Sequence, residues 1–423
     1  MGEMKYDKLE LLAPAGCFPS MMAAIKNGAD AIYFGLAQLN MRARARRSFD
    51  ENDLAEIASV CRAAGVKTYL ALNTLLYQHD LDLCRVLLEG AVKQKVDAVI
   101  LSDMAAVQMA NQLGLEVHLS TQLSISNSES VKFYAPYCSR IVFARELSLP
   151  MIESISRCIK EEQIFGHRGN LIEIEAFAHG AMCIAVSGRC GMSLYTSNSS
   201  ANRGACEQNC RKAYKVTDVE TGTELIVDND LIMSPNDILT IDFIDKMVVA
   251  GVRVFKLEGR GRSPEYVAEV VRCYREALDS VQDESYSPEL VEAWKTRLSK
   301  VYNRGFSTGY YLGKKQGWSD KPGSKATHRK DFVGTISNYF PKVGVIEVDC
   351  CAVDLSVGDE YLIVGHTTGA VRGVVEEIRI EREGEMIAVE CASKGTRFSL
   401  QHPGDARRRD QLYRMTPMEP TEV

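Results

Sequence analysis

KTYLALNTLLYQHDLDLCRVLLEGAVKQKVDAVILS, residues 67–102, holds one complete repeat of the pattern that organises this chain. An apolar run at 67–73 (KTYLALN) leads to an amphipathic stretch at 81–95 and then to a second apolar run at 98–102 (AVILS). Most such runs are apolar on both faces, as parallel strands are when helices cover both sides of the sheet. The stretch between them has the period of a helix with one buried side. Working outward, similar runs lie at 9–13 (LELLA), 31–35 (AIYFG), 117–121 (VHLST), 140–145 (RIVFAR), 171–178 (LIEIEAFA) and 253–258 (RVFKLE), which makes eight. Helix-like segments at 52–64 and 238–250 alternate with them. Eight βα units predict an α/β protein with a (β/α)8 TIM-like barrel. An open doubly wound sheet is the alternative, because periodicity does not show closure.

Seven connections are compact. The one after the seventh run is a long excursion, 180–237, and it includes a hairpin expected from 214–219 and 223–227 around Glu220-Thr221-Gly222. In a barrel it leaves from the C-terminal end of a strand, the face on which barrel enzymes place their chemistry. A last barrel helix at 264–280 and further helix up to Tyr302 close a unit spanning 1–313. A polar linker rich in Gly, Lys and Ser, 314–330, leads to short alternating runs over 331–418, read as a small antiparallel β-barrel.

At 423 residues the chain suits a large barrel with one appendage. No apolar run reaches the roughly 18–20 residues of a membrane helix, and the polar start has no signal-peptide core, so the expectation is a cytoplasmic protein without a membrane. The net charge of -6 gives no global field for nucleic acid, so RNA contacts must come from local basic patches.

Thirteen cysteines are many for that compartment, and an odd count argues against a closed disulfide framework. Four of them, Cys183, Cys190, Cys206 and Cys210, fall in the excursion with the spacing Cys-x6-Cys-x15-Cys-x3-Cys. Four thiolates in one loop suit an iron–sulfur cluster or a tetrahedral zinc. Zinc usually takes ligands in close pairs, and here only Cys206 and Cys210 have that spacing. Small neighbours such as Ser187, Gly188 and Gly204 would let backbone amides approach cluster sulfurs. Reduced structural thiols are the third reading.

The stretches 175–190 (EAFAHGAMCIAVSGRC) and 204–211 (GACEQNCR), with 12–16 (LAPAG), 145–148 (RELS), 256–260 (KLEGR) and 263–266 (SPEY), resemble the collagenase-like peptidase family of unassigned catalytic type. The resemblance covers nearly the whole chain and is greatest to the tRNA-hydroxylating branch. Despite the family name, that branch is similar to other RNA and quinone hydroxylases. The resemblance implies a [4Fe–4S] cluster on the four cysteines and 5-hydroxyuridine formation at the tRNA wobble position by an oxygen-independent route. It also implies prephenate, or a metabolite derived from it, as a required metabolite, tRNA as partner and a paralogous protein as a further partner. Peptidase activity is the rival reading, and a non-catalytic cluster-bearing or RNA-binding module is the third.

Further candidates surround this motif. His179 ends the seventh run, and Glu175 shares its strand face. Both are candidates for proton handling, as is Glu258, with buried structural roles as the plain alternative. A buried Glu175 needs a cationic partner, and Lys256 and Arg145 are the neighbours expected. Arg42, Arg44, Arg46 and Arg47 in 41–47 (MRARARR) form a basic patch suited to phosphate contacts, or else a solvated loop. Arg260 and Arg262 suit an anionic metabolite. The pattern G-x-S-x-G at 305–309 lacks the strand-to-helix setting of a nucleophile elbow and is read as chance.

Overall fold

The computed structural model describes residues 9–43, 49–212, 216–222, 224–225, 233–319 and 323–418. Strands and helices alternate as β1 (Glu10–Pro14), α1 (Phe18–Lys26), β2 (Ala31–Phe34), α2 (Asp53–Ala63), β3 (Lys67–Leu72), α3 (Leu81–Gln94), β4 (Ala98–Leu101), α4 (Met104–Gln112), β5 (Val117–Leu119), α5 (Ser128–Tyr134), β6 (Arg140–Val142), α6 (Leu149–Glu161) and β7 (Glu173–Gly180). The excursion carries α7 (Met192–Ser197) and the short hairpin β8 (Val216–Thr217) and β9 (Glu224–Leu225). The chain then forms β10 (Asp237–Leu239), α8 (Ile244–Val249), β11 (Val254–Leu257), α9 (Pro264–Gln282), α10 (Pro288–Ser299) and β12 (Phe306–Ser307).

Parallel pairing runs from β1 to β7, and β11 pairs with both β7 and β1. The barrel is therefore closed by eight parallel strands, and the open-sheet alternative falls. The helices follow the periodicity of the sequence. In α3, Cys84, Leu87, Leu88 and Ala91 are buried, an i, i+3, i+4, i+7 face, and Lys95 ends the helix in the left-handed conformation.

One expected helix is corrected. Within 238–250 the helix starts only at Ile244, and Asp237–Leu239 is a strand antiparallel to β7 (Ile238 opposite Gly180, Leu239 opposite His179). The reason lies in strand lengths. β6 stops at Val142, opposite Glu175, so the rest of β7 has a free edge that the returning chain occupies. β12 adds to β10 in turn. It contains Ser307 and leads into a turn, which gives the 305–309 pattern no elbow.

The barrel lumen is filled by Leu12, Tyr33, Tyr69, Ala71, Ile100 and Val254. At its N-terminal end Arg140 holds Glu10 at 2.7 Å, Glu173 at 2.7 Å and Glu175 at 3.7 Å, and Tyr69 donates to Glu10 at 2.9 Å. Glu175 is fully buried and also meets Lys256 at 2.6 Å, the cationic partner its burial requires.

The C-terminal strands pair antiparallel in the order Gly369–Val374, Glu360–Gly365, Gln411–Pro417, His328–Phe340, Val345–Cys350, Arg397–Gln401, Ile378–Arg382, Glu385–Val389. Among the described residues no ladder joins the two outer strands. The first strand begins at His328, inside the segment read as linker. This unit has its own core around Val333, Ile346, Ile363 and Phe398 and docks on α1 and α9. Gly369 sits against α1, where a Cβ would come within 2.9 Å of the Ala23 nitrogen. Lys26–Asp405 (2.8 Å) and Lys330–Glu265 (2.9 Å) bridge the units. No helix among the described residues is long and apolar enough to cross a membrane.

Removing Arg140 should be expensive, because it takes a charged partner from two buried carboxylates, leaving Glu175 with Lys256 and Glu10 with Lys67 and Tyr69. Arg140→Met is expected to lower unfolding free energy in urea by about 3–5 kcal/mol. Arg168→Ala, which breaks an exposed pair with Glu116, should cost under about 1 kcal/mol. Equal costs would contradict this assignment.

Candidate functional site

The C-terminal ends of the strands and the excursion enclose a chamber of about 440 Å³. Tyr33 from β2, Asn73 beyond β3, Ser120 beyond β5, Phe177 from β7 and Lys256 from β11 form its floor and walls. All four excursion cysteines line it. So do Arg42, Arg145, Arg211, Arg260, Arg262 and Arg304, which with Lys256 make seven cationic side chains against one carboxylate, Glu258.

The excursion is held over the barrel by anchors along its length. Arg203 forks onto the buried Asp80 at 2.6 and 3.3 Å and lies 3.8 Å from the Tyr77 ring centroid. Leu75 donates its amide to Asn202 at 3.0 Å. Arg211 donates to Ser234 (2.6 Å), Pro235 (2.9 Å) and Met182 (2.5 Å), tying the end of the cysteine segment to both stems. Two glycines are required by close approach. A Cβ at Gly204 would stand 2.1 Å from the Asn40 carbonyl oxygen, and one at Gly188 would stand 1.7 Å from the Gln122 side-chain oxygen. Both also have positive φ, +82° and +77°.

The four thiols are free, with Cys183 exposed and the other three half-buried. Burial pushes the Cys210 thiol up, Arg211 pulls it down, and the negative charge of Cys183, Cys206 and Cys190 pushes it up again. The four thiols thus face a common space. Among the described residues no three His, Cys, Asp or Glu side chains converge closely enough to hold one metal ion.

Glu258 pairs with Arg42 at 2.8 Å. Burial opposes its charge, but Arg42, with Arg145 and Arg260, outweighs burial and holds the carboxyl down to about 2. It is a carboxylate at neutral pH and acts as a charge partner for the arginines. Arg145 lies 3.7 Å from the Phe177 ring centroid and donates to Ala181 at 2.8 Å. Its Nε is buried without a partner. Arg260 is 8 % exposed and bonds to Asn40 at 3.1 Å.

The structure brings Arg42, Arg145, Lys256, Glu258, Arg260 and the four cysteines together on one wall system. It does not bring His179 or Glu175 to that wall. Glu175 lies beneath, in the lumen network. His179 is enclosed by Tyr266, Tyr274 and Phe306, and its Nδ1 has no partner. Arg44, Arg46 and Arg47 lie outside the described residues. Sequence reading missed Arg211 and Arg304 as chamber residues. Adjacency to Cys210 was the available signal for Arg211, and nothing local marks Arg304.

The family described as Peptidase family U32 matches residues 16–321. The chain is 48% identical over 417 residues to a protein of Porphyromonas gingivalis named collagenase, covering 98% of this chain and 100% of that one. It is 38% identical over 411 residues to an uncharacterized protease of Methanocaldococcus jannaschii, covering 96% and 98%. It is 33% identical over 343 residues to tRNA hydroxylation protein P1 of Bacillus subtilis, covering 78% of each.

The enclosure of His179 has a measurable consequence. Burial, with the Arg262 charge, holds its imidazole down to about 3 against an ordinary 6.5. Between those values the unfolded chain binds a proton that the folded chain excludes. Stability is therefore full above pH 6.5 and falls on acidification, by about 1.4 kcal/mol per pH unit for one such group. His179→Gln is expected to flatten the decline of the urea midpoint between pH 6.5 and 5. A slope unchanged from wild type would refute the placement.

Proposed function

The chain belongs to Peptidase family U32, and from that premise we propose that it is an RNA-modifying enzyme that hydroxylates carbon 5 of the wobble uridine in tRNA. The observation that carries this reading is the union, on one chamber, of four free thiols and seven cations facing a single carboxylate. Such a surface in a chain of net charge -6 suits an anionic substrate. A wobble base is already single-stranded, so it enters a pocket at little cost in unstacking. The relative named for tRNA hydroxylation supports the same substrate class. A tRNA substrate would place the enzyme in the cytoplasm.

Cys183, Cys190, Cys206 and Cys210 would hold an iron–sulfur cluster of the [4Fe–4S] type. Four thiols lining one space supply the four sulfur ligands that such a cluster takes. When bound, such a cluster supplies one-electron redox chemistry. The net reaction replaces the uridine C5–H bond by C5–OH, a two-electron oxidation of the base. With water as the source of oxygen, two protons and two electrons must leave the base, and the prephenate-derived metabolite that the family resemblance implies is the candidate two-electron acceptor. In this reading Arg42, Arg145, Lys256 and Arg260 orient anionic groups, and the Arg42–Glu258 pair fixes the position of Arg42. Phe177 and Tyr33 give the chamber aromatic walls that restrict water.

Peptide hydrolysis is the second reading, favoured by the 48% identity to a protein named collagenase. A hydrolytic cysteine needs a base beside it. Among the described chamber residues there is no histidine, and Glu258 is committed to Arg42.

The test is mass spectrometry of tRNA nucleosides from a deletion strain, the same strain carrying wild type, and the same strain carrying Cys206→Ala. The expected result is 5-hydroxyuridine lost on deletion and restored by wild type alone. Unchanged nucleosides, in a strain also lacking any paralogue, would remove the tRNA assignment. Gelatin cleavage by the purified protein, abolished by a single cysteine substitution, would favour the second reading.

A further inference from the structure

We propose that Arg211, Arg262 and Arg304 form a phosphate seat on one side of the chamber, between the loops that follow β7 and β11. One of the three guanidinium groups touches a buried carboxylate, and the charges of the other two reach it. Arg304 Nη1 stands 3.4 Å from Asp237 Oδ1, and Arg262 and Arg211 act on the same group. Three cations share this one carboxylate in a partly desolvated niche, an arrangement that favours the entry of a further anion.

Cys210 and Cys183 also act on Arg211, whereas among the described residues Arg304 forms no ion pair besides that with Asp237. Arg211 is fixed by three neutral oxygens, those of Ser234, Pro235 and Met182. Arg262 lies 3.5 Å from the Tyr302 ring centroid and forms no ion pair among the described residues. Arg304 lies 5.3 Å from the same ring. Aromatic and carbonyl contacts hold the forks in place while their charge stays available, and a planar guanidinium fork matches phosphate oxygens in pairs. The position agrees with the general anatomy of barrels, where loops after the seventh and eighth strands commonly seat a phosphate. Arg211 comes from the first of these loops. Arg262 comes from the second, just before the N-terminus of the 19-residue α9. Arg42, also in the chamber, is charge-paired by comparison, with Glu258 at 2.8 Å.

The phosphate has two sources, an RNA backbone or a small phosphorylated molecule. The first rests on the RNA reading above, whereas the seat itself does not. The test uses the full-length protein purified anaerobically. Anisotropy of a labelled anticodon stem–loop RNA is followed across a salt series, and calorimetry follows inorganic phosphate at constant ionic strength. Wild type, Arg262→Gln, Arg262→Lys and Arg211→Gln are compared, with circular dichroism confirming that each is folded.

The seat predicts roughly tenfold weaker RNA binding for Arg262→Gln, and a log–log salt slope smaller by about one. It predicts that the slope returns in Arg262→Lys and that inorganic phosphate competes with RNA for wild type and Arg262→Lys but not for Arg262→Gln. Phosphate binding lost in Arg262→Gln, with no RNA binding by wild type, keeps the seat, assigns it to a small phosphorylated molecule and removes the RNA reading. Wild-type affinities in both glutamine variants, or a wild type that binds neither probe, overturn the seat.

Discussion

Lys256 and Glu175 stand 2.6 Å apart inside the barrel with almost no exposure, and this buried pair divides the molecule in two. Below it, Glu175 continues to Arg140 and Glu10, and the lumen is a polar plug braced by Tyr69. Above it, Lys256 faces the chamber, 4.5 Å from the Tyr33 ring centroid. A buried ion pair adds little net stability, because desolvation consumes most of its attraction. Its effect here is to fix where the packed lumen ends. Chemistry is then confined to the strand ends and to whatever the loops bring over them.

What the loops bring is thiol and positive charge. The excursion would be a long unsupported loop, but Arg203, Gly188 and Gly204 tie it to three parts of the barrel rim and Arg211 ties it to its own two stems. Those ties place four cysteines, separated by up to 27 positions in sequence, on a single wall. The same ties deliver Arg211 to the niche around Asp237. The placement of the thiols and that of the arginine niche therefore depend on the same few side chains, and a fault in one should disturb the other.

Much of the barrel was legible because each unit is local. A helix with buried Cys84, Leu87, Leu88 and Ala91 shows its period without its neighbours. Asp237–Leu239 was not legible, since its strand conformation depends on the free edge that β6 leaves on β7. The cysteines were readable from spacing and type. The partner of Glu175 was readable too, since burial of a carboxylate demands one. His179 was not: strand alternation gives the face a side chain takes, whereas its enclosure by Tyr266 and Phe306 comes from α9 and β12, distant in sequence. Arg304 joins the chamber through tertiary packing alone.

The proposed chemistry depends on the group that the four thiols would hold. The most direct measurement is iron and acid-labile sulfide in protein purified without oxygen, alongside electron paramagnetic resonance of the reduced sample, for wild type and Cys210→Ser. The account predicts roughly four iron and four sulfide per chain with a cluster signal in wild type, and loss of both in the variant. Stoichiometric zinc without sulfide, or iron retained in full when Cys210 is replaced, would contradict it.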